Sequence, residues 1–179
     1  MTDLPPFTGT VTAPFTDLAV THDAQAERLT LPFGEFVVRV PGDRTAGSLA
    51  VVDMLLPAGT IGAAPHIHHG HEEYFLVNDG EVTFDVPGGI EVVAGGGSVA
   101  VPRGRAHGFR NVTDHDARLT LLFTPAGYEG YFRDVAEAIA SGEPVTPELL
   151  VELRAGYNTV AASTQIGPGA EGLLPKAHG

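Results

Sequence analysis

At 179 residues, 43% of them hydrophobic, the chain is long enough for one domain with a sound core and short for two. A formal net charge of -12 argues against nucleic acid or an anionic membrane surface as a partner. With no cysteine, neither a disulfide framework nor a thiolate metal site is available.

The first residues, Met1 to Pro6, lack a basic segment followed by an apolar one, and no run is long enough to span a bilayer, so a cytoplasmic protein is expected. Residues 1–26, rich at first in Pro and Thr, read as an extended N-terminal arm. From Glu27 apolar and polar residues alternate: Leu29, Leu31 and Phe33, then Phe36, Val38 and Val40 beyond Gly34. Ser48 to Leu56 is the next strand, with Asp53 outward and Val52, Met54 and Leu56 inward.

Two histidines then stand one residue apart, His66 and His68. Side chains alternate along a strand, so both can reach one ion while Ile67 looks away. Glu73 is an odd number of residues beyond His68. It shares their side only if the segment around His69-Gly70-His71 bends or bulges, which Gly70 permits. His69 and His71 are read as members of a solvated loop, with His71 or Glu72 as less favoured ligands.

The hairpin from Glu81 to Gly95 places Val82, Phe84 and Val86 on one face. Pro87-Gly88-Gly89 is its turn, and Ile90 and Val92 return on the inner face. Past a Pro102-x-Gly104 turn comes His107, the fourth candidate ligand, with Phe109 on the same face. Arg118 to Phe123 is a last strand with Leu119, Leu121 and Phe123 inward.

His66, His68, Glu73 and His107 thus offer a mixed N/O shell for one divalent transition metal: iron, nickel, cobalt, manganese, copper or zinc. The residues around it, Met54, Phe75, Phe84, Phe109 and Phe123, form an apolar interior. Each packs a barrel whether or not it touches a substrate. His22, His115 and His178 stand outside any constellation and are expected at the surface. Arg103 and Arg105 are expected to pair with acidic groups of the barrel.

Beyond Pro125 the period changes. Tyr128, Tyr131, Phe132, Val135 and Ile139 recur at helical spacing up to Ser141-Gly142. Thr146-Pro147 reads as an N-cap and first helical residue leading Leu149, Leu150, Leu153 and Tyr157. These helices either pack outside the barrel or form a lid, where Tyr128, Tyr131 and Phe132 would meet a planar aromatic ligand. The organisation expected is an arm (1–26), a barrel (27–125), two helices (126–158) and an irregular tail (159–179).

The two halves of the site match the cupin pattern. His66, His68, Glu73 and Gly80 fit HxH-x4-E-x6-G, and Gly96, Pro102, Gly104, His107 and Asn111 fit G-x5-P-x-G-x2-H-x3-N. The one departure is Thr60 where the first motif opens on glycine, with Gly59 one residue early. The resemblance, close over residues 59–111, implies a mainly β fold: a single jelly-roll cupin barrel followed by two C-terminal helices. The metal would be bound inside near one mouth.

The order of parts is similar to that of bacterial quercetin (flavonol) 2,3-dioxygenase-like cupins. That likeness implies ring-opening dioxygenation with release of carbon monoxide, Glu73 as ligand and base, O2 as co-substrate and, commonly in such barrels, a homodimer. From the residues themselves, a divalent ion held by three imidazoles and a carboxylate keeps about +1 charge and favours an enolate or phenolate oxygen. No flavin or nicotinamide motif is recognisable, so the electrons for oxygen chemistry would come from an aromatic or enolic substrate. A non-redox isomerase or cyclase, and a metal- or metabolite-binding module without catalysis, use the same motifs.

Overall fold

The computed structural model describes residues 15–162. The first fourteen residues of the expected arm and residues 163–179 of the expected tail, His178 among them, lie outside the described residues.

Alternating apolar residues produce the strands β1 (Glu27–Leu31), β2 (Gly34–Val40), β3 (Ala50–Leu56), β4 (Ile61–His68), β5 (Glu72–Asp79) and β6 (Glu81–Val86). They continue with β7 (Gly89–Ala94), β8 (Ser98–Val101), β9 (Ala106–Arg110) and β10 (Ala117–Thr124). Two helices follow, α1 (Glu129–Ala140) and α2 (Pro147–Ala155), and then a short strand β11 (Thr159–Ala161).

One sheet has the order β1-β2-β3-β10-β5-β8 and the other β11-β4-β9-β6-β7, with antiparallel pairing throughout. This is a mainly β jelly-roll architecture with two helices appended. The core lies between the inner faces, where Phe36, Val52, Met54, Phe75, Phe84, Leu119 and Phe123 are buried. No helix among the described residues is long and apolar enough to cross a membrane.

The hairpin after β6 differs from expectation. Ile90 and Val92 are exposed, and Val93 is the residue packed on the core. The turn contains two residues, Pro87 and Gly88, not three, so Val82 pairs with Val93 and Phe84 with Glu91. A slip of one residue exchanges the two faces of a strand. At the sheet edge, β7 tolerates the exposed apolar pair.

The helices follow the pattern read from the sequence, and Thr146 caps α2 by accepting from the backbone N–H of Leu149 at 3.2 Å. Along α1 the buried face is Tyr131, Phe132, Val135 and Ala138, while Ile139 turns partly outward. The opening of the expected tail is ordered: Thr159–Ala161 pairs with β4 at His66, Ile67 and His68.

Glycine matters sterically at one point beside the site. A Cβ on Gly62 would fall 2.1 Å from Cε2 of Phe109, whose ring is packed edge-on against Phe75 at 5.1 Å. Gly62→Ala should therefore cost about 1–3 kcal/mol through overpacking. Urea denaturation checks this, and an unchanged midpoint would mean that the Phe109 ring has room to move.

Candidate metal centre

Strand pairing builds the site from opposite sides. β4 and β9 are neighbours, and their register sets His66 directly across from His107, with His68 one inward position further along. The parity problem at Glu73 is solved by a change of sheet. The bend at His69-Gly70 carries the chain out of the five-stranded sheet and into the six-stranded one. Glu73 then faces the histidines from the far wall, between Val101 on β8 and Phe123 on β10. Gly104, at φ +78°, turns the chain so that its N–H donates to the His68 carbonyl at 2.7 Å. That bond ties the Pro102-x-Gly104 turn to the histidine strand.

All four side chains are buried, and their ligand atoms lie within 4.8 Å of one another. Nε2 of His68 is 3.0 Å from Nε2 of His66 and 2.9 Å from Oε2 of Glu73; Nε2 of His107 is 2.9 Å from the same oxygen. The other ring nitrogens are committed elsewhere: Nδ1 of His66 donates to the Ala64 carbonyl (2.7 Å), that of His68 to Thr159 Oγ1 (2.7 Å) and that of His107 to the Arg105 carbonyl (3.3 Å). With the proton on Nδ1, as those bonds favour and as ligation requires, the Nε2 lone pairs converge on one another and on a carboxylate. Such lone pairs repel unless a cation lies among them. Donors around an ion with bonds of about 2.1 Å meeting at right angles are themselves about 3.0 Å apart. The donor set therefore fits a divalent transition metal.

The electrostatics agree. Burial pushes the His66 imidazole well below its ordinary pKa, with the neighbouring His107 and His68 adding to the effect, and burial likewise lowers His68 against the opposing pull of Glu73. Both rings stay neutral, as ligands must. Burial pushes the Glu73 carboxyl up, but its contacts with His107 and His68 outweigh that and hold it well below the usual carboxylate range.

Thr159 is a functional residue that sequence reading missed. Its hydroxyl donates to the Tyr157 carbonyl at 3.3 Å, which leaves a lone pair for the Nδ1–H of His68. Only the pairing of β11 with β4 brings it there, from ninety-one residues away in sequence. Thr159→Val should leave the fold intact and weaken metal affinity about 10–100-fold, the usual effect of losing an orienting partner. Competition against a chelator of known affinity measures this, and an unchanged affinity would show that packing alone orients His68.

The remaining histidines separate clearly. His69, His22 and His115 are exposed, but His71 is buried, contrary to the solvated loop expected. Its ring lies 4.1 Å from that of His68 and 4.6 Å from that of Tyr128, with the edge of Phe123 at 5.6 Å, because the bend turns it inward. Glu72 is bound to Arg103 at 2.8 Å, outside the ligand cluster. Asn111 acts structurally: its side chain donates to the carbonyls of Leu56 and His115. Thr60, the departure from the motif, is absorbed because Gly59 takes the left-handed conformation at φ +66°.

Of the candidate pocket residues, Phe109, Tyr131 and Phe132 line the space beside His66 and Glu73, together with Phe33, Phe36, Tyr128 and Arg154. Met54, Phe75, Phe84 and Phe123 lie deeper in the packed core and do not line it. The helix side chains close this space: Phe132 stacks on Phe36 at 4.5 Å and Tyr128 meets the His68 ring edge-on at 4.6 Å. A cavity of about 20 Å³ remains, room for one water-sized molecule.

Residues 52–123 match the family model described as "Cupin domain", and the chain has the cupin fold. Among solved structures it is similar to KdgF from Halomonas sp., at 16% identity over 64% of this chain and 99% of that one, with a TM-score of 0.56. It is also similar to an RmlC-like cupin from Shewanella frigidimarina NCIMB 400 (23% identity, 64% and 96% covered, TM-score 0.54). A third is the polyketide cyclase RemF from Streptomyces resistomycificus (17% identity, 60% and 80% covered, TM-score 0.51). No curated protein matches the chain.

Proposed function

We propose that the protein is a metal-dependent dioxygenase of electron-rich enols or phenols, flavonol-type compounds included. In this reading His66, His68, Glu73 and His107 hold the metal and Glu73 also takes the substrate hydroxyl proton. The observation that carries it is the convergence of four buried donor atoms beside a pocket walled by aromatic rings. When bound, the ion supplies a Lewis-acid centre that acidifies the hydroxyl and, if redox-active, a route for electrons.

The protein's own groups do the rest. Glu73 has a low pKa, so it accepts a proton only from a hydroxyl that a neighbouring cation has acidified, and its second oxygen is the natural acceptor. Phe36, Phe109, Tyr128 and Phe132 exclude water, which strengthens every charge interaction inside and protects an electron-rich intermediate. Both atoms of O2 enter the product and the substrate supplies the electrons, so no further reductant is required. A pocket for a drug-sized ligand occupies about 300–1,000 Å³, so the cover formed by α1 and α2 opens to admit substrate. Tyr157 on the α2 side holds this cover by donating to Asp134 on α1 at 2.6 Å.

A non-redox isomerase or cyclase is the second reading. A specific feature favours it: Tyr131, whose buried hydroxyl lies beside Arg154, lines the same pocket as Glu73, an acid and a base for one substrate. The cyclase among the fold relatives is compatible with it. The deciding experiment is oxygen uptake by protein reconstituted separately with iron, nickel, cobalt and manganese, against a panel of flavonols and simpler phenols and enols. Uptake in step with substrate loss, with carbon monoxide released from flavonols, is expected. Turnover that persists without O2 and tolerates zinc would establish the second reading. A filled site with no turnover of any kind would leave a binding module.

A further inference from the structure

The sequence places Leu149, Leu150, Leu153 and Tyr157 on the inner face of α2, yet the one buried residue of that helix is Arg154, at 9% exposure. Its guanidinium lines the same pocket as His66 and Glu73. Among the described residues the arginines that form ion pairs are Arg28, Arg39, Arg103, Arg110 and Arg133, and Arg154 is in none of them. Its Nε is buried without a hydrogen-bond partner, and the guanidinium lies beside the Tyr131 hydroxyl. The ring of Tyr131, 5.3 Å from the guanidinium carbon, offsets part of the cost as a cation–π contact, as does the C-terminal end of the helix. A cation buried with vacant donors is otherwise unfavourable, and arginine is the residue whose fork matches a carboxylate.

We propose that Arg154 anchors a carboxylate of the substrate, which is therefore an enol or phenol carrying a second, anionic oxygen group. This rests on the metal-site reading above. A divalent ion with three neutral imidazoles and the Glu73 carboxylate leaves about one positive charge, and Arg154 adds another on the same pocket. One anionic oxygen satisfies the ion and leaves Arg154 unmatched. A hydroxy acid with its two oxygen groups a few ångströms apart matches both. Arg154 is then a specificity-determining residue on the cover helix, so that binding the carboxylate also draws α2 back over the site.

The test uses the full chain loaded with zinc, which is redox-inert, so its outcome is independent of any oxygenase activity. Calorimetry compares salicylate with its neutral isostere salicylamide. Salicylate should bind at least about tenfold tighter, and Arg154→Gln should remove that preference while leaving zinc stoichiometry and the weak salicylamide binding unchanged. Arg154→Lys should keep part of it. The melting temperature of Arg154→Gln should hold or rise, because an unpaired buried charge is lost; a residue kept only for the fold would lower it. Equal affinity of the two probes for the parent protein, no binding of either, or a preference that survives Arg154→Gln would each overturn the proposal. Arg154→Met, which keeps the length and packing of the side chain without its charge, should lose the same preference and decides the matter even if Arg154→Gln does not fold.

Discussion

Glu73→Gln should lower turnover about 10²–10⁴-fold, the range lost with a general base, while the protein stays folded and still takes up metal at reduced affinity. This one carboxylate fills three separable roles. As a ligand, its Oε2 lies 2.9 Å from both His68 and His107, and the amide oxygen of glutamine is a poorer but isosteric replacement. As a charge, it brings the site from +2 to +1; without it an anionic substrate is held more tightly but is harder to activate. As a base, it is lost altogether. Metal content, oxygen uptake and thermal melting of the same preparation distinguish these. His107→Ala is the contrast: it removes a ligand opposite His66, so metal content itself should collapse. A Glu73→Gln protein that keeps its metal and turns over within a few-fold of the parent would end the role of Glu73 as base under either enzymatic reading.

Much of this centre was legible in the sequence because its parts are local. The spacing of His66 and His68 fixes their shared face, Gly70 announces the bend, and Pro102-x-Gly104 announces the corner before His107. What spacing could not say is that the bend is a passage between sheets, since a bulge and a change of sheet restore the same parity. The slip at Ile90 and Val92 has the same origin: a Pro-Gly-Gly run is compatible with two- and three-residue turns, and one residue decides which face is inner.

The residues missed altogether, Thr159 and Arg154, act through long-range packing. Thr159 opens a stretch of small residues with no motif. It becomes a partner of His68 only because β11 adds to the edge of β4. Arg154 lies one turn beyond Leu150, at the edge of the apolar face, and nothing local says that its charge is buried there without a compensating ion pair among the described residues. Local rules fail most informatively where tertiary structure has placed a costly group on purpose. His71 is the milder case, a histidine in an apparent surface loop that the bend turns onto Phe123 and Tyr128.

Those buried histidines set the response to acid. Burial lowers His66 and His68 and pushes His71 down to about 3. A group whose folded pKa lies below its unfolded value of about 6.5 leaves stability intact above that value. Below it the unfolded chain takes up a proton that the native one refuses, so stability falls as pH falls. Each such histidine costs about 1.4 kcal/mol per pH unit once the pH is well below 6.5. His71 alone costs about 2 kcal/mol between pH 7 and pH 5, a sizeable share of a domain's stability, and His66 and His68 add to the loss in the same direction. Glu73, lowered by His107 and His68 against its burial, keeps its full contribution only above its unfolded pKa of about 4.3 and loses it as the pH falls from there toward the folded value, so its loss comes later than that of the histidines.

The metal-free protein should thus lose stability as the pH falls below about 6.5 and unfold cooperatively in mild acid. His71→Phe, which keeps the ring stack and removes the titrating group, should flatten the slope by about one proton. Zinc at a hundredfold excess over its dissociation constant adds about 2.7 kcal/mol to the native state. That moves the midpoint toward acid. Circular dichroism along a pH titration, with and without zinc, measures all three shifts. A metal-free protein whose stability is flat from pH 7 to pH 5 would mean that these histidines meet water or charge in solution. A zinc-insensitive midpoint would mean that the four converging donor atoms do not hold the ion.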